Sequence, residues 1–91
     1  MRFQWDDNKA DENEDKHGVS FIEAAEIFLD PNVMEFYDED HSTLDERRFK
    51  AMGLSSRRLL FVVFVVVIND SYRIIHARVA DSRMEQLYVN Q

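Results

Sequence analysis

Phe3 and Trp5 alternate with polar neighbours, the period-two pattern of a short strand over residues 2–5. Asp6 or Asp7 can then cap a helix over residues 8–16. Its sequence, NKADENEDK, has almost no apolar stripe, so it is expected at the surface, with its basic end at the C-terminus where the macrodipole favours positive charge. Gly18 suits the left-handed stop of that helix. Ser20 and Glu23 make an S-x-x-E capping box with Val19 and Ala24 at the staple positions, which predicts a second helix over 21–29 ahead of Pro31. Phe21, Ala24, Ala25 and Phe28 fall at i, i+3, i+4 and i+7 and give that helix one apolar face.

Four segments of strand composition follow, at 33–40, 45–54, 57–68 and 72–80, separated by HSTL, LSS and the turn Asn69-Asp70-Ser71. The unbroken apolar run LLFVVFVVVI at 59–68 predicts a central strand covered on both faces, and its neighbours alternate as half-buried strands do. The tail DSRMEQLYVNQ predicts a closing helix with Met84, Leu87 and Tyr88 as its contact face, able to cover the second side of the sheet. The fold class expected is α+β: a small, mostly antiparallel sheet with two N-terminal helices and one C-terminal helix packed on it.

At 91 residues the chain is expected to form a single domain over 1–91. It has no cysteine, which excludes disulfide and thiolate chemistry and makes the cytoplasm the expected compartment. The ten-residue apolar run is about half of the ~20 residues a membrane helix needs, and no membrane association is expected. Net charge is −7, yet the charge is unevenly spread. Residues 1–46 hold three Lys/Arg against fifteen Asp/Glu, a net of −12, whereas residues 47–91 hold eight against three, a net of +5. An acidic half suits a basic protein partner; a basic half suits RNA, DNA or an acidic partner.

No phosphate-binding glycine loop, nucleophile elbow or zinc spacing is present, and His17, His41 and His76 are too far apart in sequence to make a metal motif. No metal and no cofactor are assigned. Strand parity puts Glu46, Arg48, Lys50 and Met52 on one face opposite Arg47, Phe49 and Ala51, and puts Ile74, His76 and Arg78 together opposite Arg73, Ile75 and Ala77. Cleaving RNA without a metal needs a base for the 2′-hydroxyl, cationic donors for the phosphorane and an acid for the leaving 5′-oxygen. Glu46 or a histidine could move the protons, Arg48 and Arg78 could clamp phosphate through their forked donors, and His17 at a helix end could be an acid or a phosphate contact. Each also has a plainer role: Glu46 pairing with an arginine, Arg48 and Arg78 as solvated strand residues, His17 finishing its helix, His76 packing.

A set of residues in fixed order adds to this picture. It comprises F-x-W-D-x-x-K (Phe3, Trp5, Asp6, Lys9), Asn13, KHGVSF at 16–21 with Ala24 and Asp30, E-x-R-x4-G (Glu46, Arg48, Gly53), R-L-L-x-V-V at 58–63, R-I-I-x-A-R at 73–78 and E-x-x-Y (Glu85, Tyr88). In this order they resemble the BrnT family of toxins from bacterial type II toxin–antitoxin systems. The resemblance implies a RelE-like fold and an endoribonuclease activity. It also implies neutralisation by a BrnA-type antitoxin, a dimeric ribbon-helix-helix DNA-binding protein through which operator DNA would be reached. By position it implies a site at Lys16 or His17, Glu46, Arg48, Arg73 and Arg78; His76 is a further candidate for holding substrate. Departures are His76 where the family usually has Ser, Val79 where a second basic residue is usual, a nearly neutral last helix, and Val65 to Ile68 in place of a polar strand end. Fewer phosphate-facing charges imply weaker, less salt-dependent RNA binding. They also leave open a degenerate toxin acting only as an antitoxin-binding co-repressor.

Overall fold

The computed structural model describes residues 1–67 and 71–91; the predicted strand end at Ile68 and turn residues Asn69 and Asp70 lie outside the described residues. Strand β1 (Arg2–Gln4) leads into helix α1 (Asp7–His17) and helix α2 (Phe21–Glu26), which ends in a 3-10 turn over Ile27–Leu29. Strands β2 (Met34–Tyr37), β3 (Arg47–Leu54), β4 (Leu59–Val67) and β5 (Ser71–Val79) follow, then helix α3 (Ser82–Val89). They form one sheet in the order β1-β5-β4-β3-β2, in which β1 runs parallel to β5 and the other pairs are antiparallel. The long apolar segment is therefore the central strand, as its composition predicts. Its two faces are unlike, however: Leu60, Val62 and Phe64 are buried under the helices, whereas on the other face Val65 is buried but Phe61 and Val63 are only half-buried.

The corner between α1 and α2 is built as the sequence implies. Asp6 accepts from the backbone N–H groups of Asn8 and Lys9, Gly18 stops the helix at φ 69°, and Ser20 Oγ accepts from the Glu23 N–H at 3.0 Å. The capping box is only half made. The Glu23 carboxylate instead takes a bidentate hydrogen bond from Arg58 (2.9 and 3.0 Å) and another from Ser55 Oγ (2.7 Å), which ties α2 to the β3–β4 turn. The hydrogen bond from Arg58 holds the Glu23 carboxyl below the usual carboxylate value despite its burial. Arg58 also donates to the Gly18 carbonyl, so one guanidinium braces both ends of the corner.

Helix α1 is not the free surface element its polarity suggests. β1 covers only the first three residues of β5, and past them the outer edge of β5 is closed by Asn13, which is buried. Its Nδ2 donates to the carbonyls of Ala77 (2.8 Å) and Val19 (3.0 Å), and its Oδ1 accepts from the Ala77 N–H (3.1 Å). A side-chain amide thus stands in for a neighbouring strand. Under the helices, Phe21, Ala24 and Ile27 pack with Ala51, Val62, Phe64, Ile74 and Ala77. Gly53 is required there, because a Cβ at that position would lie 2.9 Å from Ile27 Cβ. On the opposite face α3 docks lightly: Met84 and Tyr88 are half-buried but Leu87 is exposed, so the predicted contact face is only partly used. Tyr88 anchors the helix by donating to Asp30 at 2.6 Å.

Candidate active site

Residues paired across a sheet share a face, so the register sorts the candidate residues. Arg48, Val65 and Arg73 form one cross-strand row, Lys50, Val63 and His76 the next, and Met52, Phe61 and Arg78 a third, all on the face away from α1 and α2. The predicted parity of β3 holds for Arg48, Lys50 and Met52. That of β5 does not. A bulge leaves Ile75 unpaired between Ile74 opposite Phe64 and His76 opposite Val63, and the extra residue returns Arg73 to the side of His76 and Arg78 while Ile74 joins Ala77 in the core. Without that irregularity the late strand would present its two arginines to opposite sides.

On the same face lies a cleft of roughly 530 Å³, with Ile75 of the bulge among its lining residues. Arg48, Lys50, His76 and Arg78 line it from the sheet, Lys9 from α1, and Asp38 and His41 from the loop after β2. The Arg78 guanidinium lies 4.7 Å from the centroid of the Phe61 ring. Arg48 Nε and Arg73 Nε are buried and have no hydrogen-bond partner among the described residues.

Lys16 and His17 stand beside the cleft rather than in it. Lys9, Glu12, Asn13, Lys16 and His17 occupy i, i+3, i+4, i+7 and i+8 of α1, one helical face, and with Ile75 and His76 they line a smaller adjoining hollow. The His17 and His76 rings meet edge to face, 4.8 Å between centroids. Burial, then the electrostatic influence of His17, Arg78 and Lys16, push the His76 imidazole below its ordinary value and so favour its neutral form. A neutral imidazole among cations can accept a proton and has no salt-bridge partner to surrender first.

Glu46 and Arg73 are set apart from the cleft. They face each other at 3.7 Å, both more than two-fifths exposed, as a solvent-screened ion pair at the far end of the sheet. The structure supplies a different carboxylate. Asp38 is buried, and both of its oxygens lie 3.0–3.1 Å from His41 Nδ1. Burial pushes the Asp38 carboxyl up, but hydrogen bonding and charge from His41 together with the charge of Lys50 outweigh it and leave the group below its usual value. Ser42 fixes the loop: its Oγ donates to the Asp38 carbonyl and accepts from the Arg48 N–H. Sequence reasoning did not single out this carboxylate–imidazole pair. The three-residue spacing of Asp38 and His41 in a polar loop was its only signal, and the pairing depends on Asp38 extending the β2–β3 ladder through its N–H bond to the Arg48 carbonyl. Among the described residues no group of three His, Cys, Asp or Glu side chains is placed to hold a metal ion.

A family model described as "Ribonuclease toxin, BrnT, of type II toxin-antitoxin system" matches residues 5–83. The chain belongs to the BrnT family of ribonuclease toxins. The 1.1 Å-resolution crystal structure of the Brucella abortus ribonuclease toxin BrnT is similar to it, with 27% sequence identity and a TM-score of 0.69 over 90% of this chain and 99% of that one. No curated protein matches significantly. Membership of a type II toxin family implies a cognate antitoxin, and among the described residues no helix is long and apolar enough to cross a membrane.

Proposed function

We propose that this single domain is a metal-independent endoribonuclease toxin with the RelE-like arrangement of sheet and helices. It acts in the cytoplasm and is neutralised by a dimeric BrnA-type antitoxin through which operator DNA is reached. The observation that carries this reading is the convergence of Arg48, Lys50, Arg78 and Lys9 around a neutral His76 in one cleft. Arg48, Arg78 and Lys50 hold the scissile phosphate and the charge that grows on it. His76 takes the 2′-hydroxyl proton while the 2′-oxygen attacks phosphorus. The P–O5′ bond breaks, a 2′,3′-cyclic phosphate forms, and His41, oriented by Asp38, gives a proton to the departing 5′-oxygen. Lys16 and His17 act from the rim, adding to the burial that lowers the proton affinity of His76. Arg73 and Glu46 border this machinery, Arg73 in the same cross-strand row as Arg48.

Antitoxin-free protein incubated with RNA in chelator is expected to give fragments with cyclic phosphate ends. An Arg48→Ala, Arg78→Ala double variant that cuts as well as wild type would refute the site, and loss of cutting in chelator would refute metal independence. A second reading, a co-repressor that keeps its antitoxin surface but cuts poorly, is favoured by the Glu46–Arg73 pair, which leaves two candidate residues neutralising one another. Growth arrest on induced expression separates the two, since only the nuclease stops growth.

A further inference from the structure

Beyond Phe61 the cleft runs into a second hollow of roughly 630 Å³, and Asp38, Lys50, Phe61 and Arg78 line both. The two form one trough across the open face of the sheet, and they differ in chemistry. The first half is basic. The second has Met52 from β3, Phe36 from the edge strand β2 and Met84 from α3 as its apolar lining, with the carboxylates of Glu39 and Asp40 beside Asp38 along one side. Phe36 is 43% exposed although it sits on a paired strand, so its ring is offered to the hollow instead of being buried by the fold.

A polynucleotide laid in this trough would be sorted by charge. Phosphate is drawn to the first half, where Lys9, Arg48, Lys50 and Arg78 face Asp38 alone, and less to the second, where Glu39 and Asp40 join Asp38 against the shared Lys50 and Arg78. What a strand can place there is a flat, uncharged group attached close to a bound phosphate, and RNA offers only its bases. Aromatic rings stack on any base. Selectivity then comes from the rim. Asp38 is engaged by His41, while Glu39 and Asp40 are exposed acceptors. A carboxylate is matched best by two adjacent N–H donors, and among the four bases only guanine carries such a pair on its pairing edge, N1–H beside the 2-amino group.

We propose that this second hollow is a nucleobase subsite in which a guanine next to the bound phosphate stacks on Phe36 and donates to the Glu39 and Asp40 carboxylates. It rests on the nuclease reading and gives that reading a base preference. The trough belongs to the substrate strand, and a segment of the antitoxin is the competing occupant that the test must distinguish.

The probe is a short oligouridine with 2′-fluoro sugars, which cannot be cleaved by 2′-attack, carrying guanine, uracil or no base at one position; affinity is read by fluorescence anisotropy. Wild type is expected to bind the guanine probe about tenfold more tightly than the abasic one, since stacking of one base contributes about 1–3 kcal/mol and ~1.4 kcal/mol is tenfold. Phe36→Leu, which keeps apolar bulk but removes the ring, reduces that ratio below about threefold by the same stacking argument, and Phe36→Tyr preserves it. Glu39→Gln with Asp40→Asn erases the preference for guanine over uracil and leaves the abasic probe no weaker. The proposal is overturned by equal affinity for guanine and abasic probes. It is equally overturned if Phe36→Leu weakens all three probes alike, or if it spares RNA and weakens the complex with the antitoxin. Cleavage of RNA in chelator without guanine discrimination removes the subsite alone; wild type that neither binds nor cuts RNA removes the nuclease reading with it.

Discussion

Replacing Asn13 with alanine tests how the outer edge of β5 is closed. Three hydrogen bonds of 2.8–3.1 Å vanish, and the N–H and carbonyl of Ala77 and the carbonyl of Val19 lose their partner. At about 0.5–1.5 kcal/mol net for each bond, and more where a buried backbone group is left unpaired, the loss is about 3–4 kcal/mol. Alanine is the better helix former by about 0.6 kcal/mol, which offsets a little of it. A net ~3 kcal/mol is a large part of the ~5–15 kcal/mol expected of a whole domain, and at about 4–8 °C per kcal/mol it lowers Tm by roughly 12–24 °C. Asn13→Asp is expected to be no better, because it keeps an acceptor for the Ala77 N–H but turns a carboxylate oxygen toward two carbonyls. Asn8→Ala is the control. Asn8 lies in the first turn of the same helix, is exposed, and takes part only through its backbone. Circular dichroism melts of the three variants decide the matter: an Asn13→Ala protein melting within about 3 °C of wild type would show that water or a shifted helix satisfies the β5 edge equally well.

Two further outcomes follow from the packing and charge around the site. Gly53→Ala must push the 3-10 turn away, because the new methyl meets Ile27 Cβ at 2.9 Å and the Ile27 carbonyl oxygen at 3.1 Å. A cost of about 1–3 kcal/mol is expected, read as a lower urea midpoint with an unchanged m-value, and no change would mean that the turn is free to move. The folded protein holds the His76 proton less tightly than the unfolded chain does. Wild type therefore loses stability as pH falls through the ordinary value of 6.5, and that loss is complete below the lower folded value. RNA cleavage should fall as pH drops through the lower folded value, where the base gains a proton. His76→Gln is expected to flatten this part of the Tm-against-pH curve; an unaltered curve would refute the assignment.

Much of the architecture was legible because it rests on local chemistry: the Asp6 and Ser20 caps, the Gly18 stop, the unbroken apolar run at the centre of the sheet. What escaped depends on contacts between distant segments. The bulge at Ile75 has no local signature in RIIHAR, because Ile74 and Ile75 are equally apolar and only the pairing with β4 reveals which of them faces the core. Asn13 reads as one more polar residue on a polar helix until the short β1 leaves an edge of β5 for it to bind. Glu46 was a reasonable proton carrier by motif, yet the chain enters β3 only at Arg47, so Glu46 falls at the sheet's margin against Arg73. Asp38 and His41 escaped because a loop residue's partners cannot be inferred from periodicity.

The charge asymmetry of the sequence takes a different form in space. Of the three cations among the first 46 residues, two, Lys9 and Lys16, lie on the α1 face that looks toward the cleft and its adjoining hollow, where Glu12 is the one α1 carboxylate beside them, while Asp7, Asp11, Glu14 and Asp15 of the same helix are exposed. An acidic segment therefore contributes positive charge at the site and negative charge around it. This separation by face explains how a chain of net charge −7 can present a phosphate-binding surface. Surrounding carboxylates discourage RNA from settling elsewhere, so attraction is confined to the trough. The number of released counterions, and hence the salt dependence of binding, is then set by the few cations of the cleft instead of by the overall charge. Lys9→Gln should lower that slope by about one unit, as loss of one phosphate contact does, and leave it unchanged if the cleft carries no phosphate.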